Sequence, residues 1–208
     1  MTQRTDSDLG THFLDTGPFF CLGGSRTLAD LYDEAYVADA RVAEAVAVEV
    51  NRRATAQTRP GDPHRRGATD AAARSAARRY HALLESAIPR PDPTPSELST
   101  IEADLLARAQ QKWPDRTHHP LAHRGESESI HGAESVNINF VSCDDDARRV
   151  AHSRGVRAET FVDVARRLAR AQNDVKPKRI LGELHKLARS GIDIGDVVQS
   201  VLDLRIAR

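Results

Sequence analysis

Val136-Asn137-Ile138-Asn139-Phe140-Val141-Ser142-Cys143-Asp144-Asp145-Asp146-Ala147 is the stretch whose reading decides the fold. Val136, Ile138 and Phe140 alternate with Asn137 and Asn139 before the apolar Val141, the period-two pattern of a strand. That strand is expected to end at Ser142-Cys143-Asp144. A helix should then start near Asp145 or Asp146, carry Ala147, Val150 and Ala151, and stop at Gly155. A strand feeding directly into a helix, if repeated along the chain, builds βαβ units and a parallel sheet.

The pattern recurs upstream. His12-Phe13-Leu14-Asp15 before Thr16-Gly17-Pro18 reads as a buried strand ending in a turn, which puts Asp15 at the strand's C-terminal end. Thr27 with Asp30 has the spacing of a capping box for a helix over about Thr27 to Ala35. Val37 to Ala43 reads as a second strand. Ala45 to Ala56 reads as a helix with Val46, Val50 and Ala54 on one face and Glu49 in its first turns. Downstream, Val156 to Ala158 suits an edge-like fourth strand, and Thr160 with Asp163 caps a helix bearing Phe161, Val164, Leu168 and Ala171. Two further amphipathic helices follow, on Ile180, Leu181, Leu184 and Leu187 and on Ile194, Val197, Val198, Val201 and Leu202, with Gly191 at a helix-ending position between them.

Pro60-Gly61-Asp62-Pro63 and the Pro89 to Pro95 stretch interrupt this alternation. Helices are expected over Thr69 to Ile88 and after a Thr94-Pro95-Ser96-Glu97 capping box, on Leu98, Ile101, Leu105 and Leu106. The chain thus divides into a core domain over 1–174, holding a helical insertion at about 59–124, and a C-terminal helical extension over 175–208. Arg52, Arg53, Arg59, Arg65, Arg66, Arg74, Arg78, Arg79 and Arg90 face only Asp62, Asp70 and Glu85, making this the basic patch of the chain.

Composition narrows the classes. At 208 residues the chain is long enough for a real core, and with 39% apolar but only 4% aromatic residues that core must be Ala, Val, Leu and Ile. An RNA binder built on aromatic platforms is not expected. Thirty basic against thirty acidic residues leave no net charge, so nucleic-acid contact would have to come from a local patch. Two cysteines exclude a disulfide framework and fit a reducing cytoplasm. Neither a membrane span nor a signal-peptide core is evident, so a soluble cytoplasmic protein with no membrane partner is expected.

In an open parallel sheet, reactive groups gather at the carboxyl ends of the strands. Asp15 and Asp144 both end expected strands, and Glu49 with the Gly125-Glu126-Ser127-Glu128 segment can complete an acidic cluster. Crowded carboxylates are tolerable when a cation neutralises them, and hard oxygen ligands point to Mg²⁺ or Mn²⁺. Taken singly, the same acids have plainer readings: Asp15 as a turn former, Asp145 or Asp146 as a helix cap, Glu49 as the partner of Arg53. Gly23-Gly24-Ser25 completes neither a phosphate loop nor a dinucleotide fingerprint. His118, His119 and His123 have no helical metal spacing and read as a loop, and Cys143 reads as a packing residue.

Phe13-Leu14-Asp15-Thr16-Gly17-Pro18, Ala47-Val48-Glu49-Val50, Gly125-Glu126-Ser127-Glu128-Ser129-Ile130 and Val141 through Ala151 resemble, in that order, the PIN-domain nucleases, the family of the VapC-type toxins. The resemblance covers about residues 12–58 and 122–172. It implies an α/β fold, a three-layer α/β/α sandwich with a central parallel sheet, and RNA cleavage by a carboxylate cluster holding Mg²⁺ or Mn²⁺. Position by position it implies Asp15, Glu49, Glu126 and Asp144 as the catalytic acids, with Asp15, Glu126 and Asp144 on the metal. Glu128 competes with Glu126, Ser142 matches a small hydroxyl residue, and Asp145 and Asp146 are secondary candidates. The chain departs from the family pattern at Cys143, where Asp is frequent, and in the length of the insertion. The resulting expectation is a metal-dependent endoribonuclease, the toxin of a toxin-antitoxin pair, with RNA as substrate, an antitoxin protein as partner and a homodimer as assembly. Arg65, Arg66, Arg78 and Arg79 are the expected RNA-backbone contacts. The alternative is a catalytically degenerate PIN-like protein that binds RNA or protein, with the helices from Lys178 to Arg208 against the partner.

Overall fold

A computed structural model describes residues 9–56, 64–117, 123–171 and 177–195, the side chains of 64–66, 171 and 177 excepted. The first strand, β1 (His12–Leu14), passes at once into α1 (Thr16–Gly24). The turn expected at Thr16-Gly17-Pro18 is instead a helical first turn. Asp15 caps it, its Oδ1 accepting from the Thr16 N–H at 2.6 Å, and Pro18 falls where a missing N–H costs nothing. The next helix, α2 (Arg26–Ala35), is capped by Ser25 through the Leu28 N–H at 3.3 Å, so Thr27 is not the cap. A 3₁₀ turn at Val37–Asp39 takes the start of the expected second strand and leaves β2 as Ala40–Val42, followed by α3 (Glu44–Thr55).

The inserted region supplies α4 (His64–Arg79), α5 (His81–Glu85) and α6 (Ser96–Lys112). Pro95 stands at the cap of α6 with no side-chain cap bond, and the Ser96 hydroxyl turns to Glu97, so the expected capping box does not form. After α7 (Arg124–Val136) comes β3 (Asn139–Val141), then α8 (Asp145–Ser153), β4 (Ala158–Glu159), α9 (Phe161–Ala171) and α10 (Pro177–Ser190). The third strand is shorter than its alternation predicts. Val136 closes α7 and is exposed, and Asn137, at φ 54°, takes the left-handed conformation that ends a helix. Gly191, at φ 87°, ends α10 as expected, whereas the last expected helix lies almost wholly outside the described residues.

All pairings are parallel and the strand order is β2-β1-β3-β4. In register, Leu14 stands between Val42 and Val141, and Phe13 between Arg41 and Phe140. Side chains alternate across the sheet, so Leu14, Val42 and Val141 enter one core with α1, α2, α3, α4, α9 and α10. Phe13, Phe140 and Ala158 enter a second with Ile101 and Leu105 of α6, Ile130 and Ala133 of α7, and Ala147, Val150 and Ala151 of α8. The sheet therefore carries helices on both faces. The inserted helices belong to these cores: Ala72 and Ala76 of α4 are buried in the first, where a Cβ on Gly23 would fall 2.0 Å from the Ala72 carbonyl oxygen. Among the described residues no helix is long and apolar enough to cross a membrane.

Candidate acidic site

From β1 the chain leaves for β2 on one side and later returns to β3 on the other. The carboxyl ends of β1 and β3 thus flank a topological switch point, where an open α/β sheet leaves a crevice. Asp15 ends β1 and Ser142-Cys143-Asp144 follow β3. The Asp15 N–H donates to the Val141 carbonyl at 3.0 Å, so the two ends stay paired to the last residue. Ser142, fully buried, links the acids: its hydroxyl donates to Asp15 Oδ2 at 2.6 Å and accepts the Asp144 N–H at 3.0 Å. Asp144 caps α8, its Oδ1 accepting from the Ala147 N–H at 2.8 Å. Glu49, in the second turn of α3, accepts from the Thr16 hydroxyl at 3.0 Å.

The start of α7 lies against the same spot because Gly125 permits it. A Cβ there would stand 3.2 Å from Val46 Cγ2 and 3.7 Å from Thr16 Oγ1. Glu126, the next residue, is close enough for its charge to act on both Asp15 and Asp144. Asp15 is pushed well above the usual carboxylate range, first by burial and then by Glu126, with Glu49 adding. The hydrogen bonds from Ser142 and Thr16 oppose this without cancelling it. Asp144 is also raised, by burial first, against the Ala147 hydrogen bond, with Glu126 and Asp146 adding. Among the described residues no Lys or Arg pairs with Asp15, Glu126 or Asp144.

His123 joins the site unforeseen. It stands at the cap of α7 in the left-handed region (φ 68°), its Nδ1 3.7 Å from Glu126 Oε1, and its pKa is raised chiefly by Glu126. The usable signal in the sequence is its position immediately before the helix that carries Glu126, which its grouping with His118 and His119, both outside the described residues, conceals.

The structure separates the two glutamates the sequence leaves in competition. Glu128 is buried one turn edge away and faces α3. It accepts from Arg124 Nε at 2.8 Å, Arg90 Nη1 at 3.2 Å and the Ala45 N–H at 3.0 Å, while Arg90 also holds Glu102 at 2.7 Å. Glu128 is thus a neutralised tie between α7, α3 and the inserted region, and Glu126 is the one that faces Asp15. Asp145 pairs with Arg148 at 3.1 Å and Arg149 at 2.7 Å, and Asp146 with Lys112 at 3.6 Å. Of the expected RNA contacts, Arg79 is engaged by Asp30 at 2.6 Å and Asp33 at 2.7 Å, Arg78 is exposed, and the side chains of Arg65 and Arg66 lie outside those described. Cys143 is buried with its sulfur 3.9 Å from that of Cys21, over Gly17, where a Cβ would meet it at 2.8 Å. It packs, as read from the sequence.

The donor set is made of hard carboxylate oxygens, and although Glu49 has Arg52 at 3.8 Å and Glu126 has His123, neither Asp15 nor Asp144 has a Lys or Arg partner among the described residues, which suits Mg²⁺ or Mn²⁺ in chemical class. As the side chains stand, however, no three of the described His, Cys, Asp and Glu residues lie close enough together to hold an ion. No protein-family model, no curated protein and no solved structure matches the chain.

Proposed function

We propose that this chain is a metal-dependent endoribonuclease of the PIN type, acting at the β1/β3 crevice. One observation carries the reading: Asp15 is buried beside Glu126 and Glu49 without a cationic partner, whereas the equally buried Glu128 has two arginines. A buried acid kept for packing is normally paired, and one kept unpaired is costly unless something else supplies positive charge. Asp15, Glu126 and Asp144 would hold the ion, with Glu49 completing the shell. When bound, Mg²⁺ or Mn²⁺ supplies an activated water near neutral pH and stabilises charge developing on the phosphoryl oxygens.

The chain's own residues would prepare that site. Ser142 fixes Asp15 Oδ2 and the start of α8 with one hydroxyl, so the two acids keep a constant relation. Thr16 orients Glu49, and His123 turns Glu126. The test is twofold: Mn²⁺ titration by calorimetry, and cleavage of mixed cellular RNA by the intact chain and by Asp15→Asn. Metal-dependent cleavage lost in the variant supports the reading, and cleavage by the variant at the rate of the intact chain refutes it. The absence of three ready ligands among the described residues favours the second reading, a degenerate copy that binds RNA or protein, for which no Mn²⁺ heat is expected.

A further inference from the structure

Arg148, in the first turn of α8, is buried, although the side chains that join α8 to the second core are Ala147, Val150 and Ala151. Its guanidinium folds back over the start of its own helix. Nη1 donates to the Ser142 carbonyl at 3.0 Å, and Nη2 donates to Asp145 Oδ1 at 3.1 Å. A cation over the first turn opposes the helix dipole, and a buried charge costs more than an apolar side chain of similar volume. Packing alone would favour an apolar residue here. The other polar groups of Ser142 are already committed: its N–H donates to the Glu159 carbonyl of β4 at 3.1 Å, and its hydroxyl joins Asp15 Oδ2 to the Asp144 N–H. Its carbonyl lies one residue past the end of β3, and Arg148 is the donor that holds it. Because a peptide is planar, fixing that carbonyl fixes the Ser142–Cys143 plane, and with it the path of the chain from Ser142 to Asp144.

We propose that Arg148 is a positioning residue of the acidic site, holding the turn between β3 and α8 so that Asp15 and Asp144 keep the relation that Ser142 sets. What the two acids hold rests on the nuclease reading. Like charges on Asp15, Glu126 and Asp144 repel one another and would open a turn that nothing held. Arg148 opposes this through Ser142 and not by pairing with an acid of the site, since its carboxylate partner is Asp145. A planar guanidinium spans the carbonyl and the carboxylate as a fork, whereas a lysine ammonium is a single point of charge. Arg149 supplies the comparison within the same helix. It pairs with the same Asp145, through Oδ2 at 2.7 Å, from a largely exposed side chain. Removing either arginine leaves Asp145 one cationic partner, and only the loss of Arg148 strips the Ser142 carbonyl.

Two measurements on the full chain and on Arg148→Met, Arg148→Lys and Arg149→Met test this. Without metal, hydrogen exchange followed by NMR reads the turn at the Asp144 and Ala147 amides, whose N–H groups donate to Ser142 Oγ and Asp144 Oδ1. Arg148→Met should speed exchange there about tenfold, Arg148→Lys less, and Arg149→Met not at all. The amides of Tyr80 and Phe140, one in each core, should keep their rates, whereas an arginine that only stabilised the fold would speed all four alike. With metal, calorimetric titration of Mn²⁺ at a temperature where every variant is folded should show affinity at least tenfold weaker in Arg148→Met, intermediate in Arg148→Lys and unchanged in Arg149→Met, as expected of a group that orients metal ligands. If Arg148→Met does not fold, Arg148→Lys, which keeps the charge, carries both comparisons. Unchanged exchange at Asp144 and Ala147 in the Arg148 variants, or an equal rise at Tyr80 and Phe140, overturns the proposal, and so does an equal loss of Mn²⁺ affinity in Arg149→Met. If the intact chain gives no Mn²⁺ heat, the nuclease reading falls and the exchange comparison by itself decides the role of Arg148. Normal Mn²⁺ binding in both the intact chain and Arg148→Met leaves the nuclease reading standing and removes Arg148 from the site.

Discussion

Replacing Asp15 by Asn should stabilise the metal-free protein at neutral pH and destabilise it, relative to the original, once metal is added. Asn keeps the α1 cap, because its side-chain oxygen can accept the Thr16 N–H in place of Oδ1, and it removes the charge that burial, Glu126 and Glu49 all penalise. The folded carboxyl holds its proton to a higher pH than the unfolded one. Its contribution to stability is therefore full below the unfolded value of about 3.9 and is lost as pH rises through the folded value. Each tenfold displacement of that protonation equilibrium costs about 1.4 kcal/mol, which for a chain of this length raises the melting midpoint of the variant by roughly 3–6 °C. Mn²⁺ at about 100 times its Kd would stabilise the original chain by about 2.7 kcal/mol and the variant by far less, inverting the order. Differential scanning fluorimetry at pH 4.5 and pH 7, with and without Mn²⁺, reads all four corners. A variant that melts below the original at pH 7 without metal, or a gap identical at both pH values, would refute the view that Asp15 is held at a cost.

Other perturbations separate the groups that build the site from those that hold the fold. Ser142→Ala strands Asp15 Oδ2 and the Asp144 N–H, so urea unfolding should show a loss of about 1–3 kcal/mol and calorimetry a weaker Mn²⁺ affinity. Glu128→Ala leaves Arg90, Arg124 and the Ala45 N–H without their common acceptor and should cost about 3–5 kcal/mol, whereas Glu126→Gln should leave urea stability nearly unchanged and abolish metal binding. Equal effects of the two glutamates on stability would contradict their separation. Gly132→Ala puts a Cβ 2.5 Å from Cζ of Phe13, a ring fixed between β1 and α7, and should cost about 1–3 kcal/mol by thermal unfolding, with metal affinity retained.

Much of the local structure is legible in the residues themselves. Thr160 with Asp163 announces a helix start and Gly191 marks a helix end, because caps and left-handed stops depend on a few neighbouring atoms; at α8 the acidic run places the helix start, but the cap is Asp144 and not Asp145 or Asp146. The misreadings are local competitions decided by packing. Asp15 starts a helix where Gly-Pro suggests a turn, and Asn137 ends α7 two residues into what alternates like a strand. His123 beside Glu126 is another such case, since grouping it with His118 and His119 hides the helix that begins at the next residue.

The sequence by itself determined that strands alternate with helices, that the core is aliphatic, and that acids stand at strand ends, since periodicity, volume and charge belong to single residues and their near neighbours. Only the tertiary structure decided that β1 lies between β2 and β3, and with it that residues 127 positions apart, Asp15 and Ser142, share a hydrogen bond. It also decided that Glu126 faces that pair while Glu128 turns to Arg90 and Arg124. Strand order and helix rotation are set by the burial of Phe13, Phe140 and Ile130 on one face and of Leu14, Val42 and Val141 on the other. Those contacts are made across the sheet and between distant segments, which no local pattern encodes.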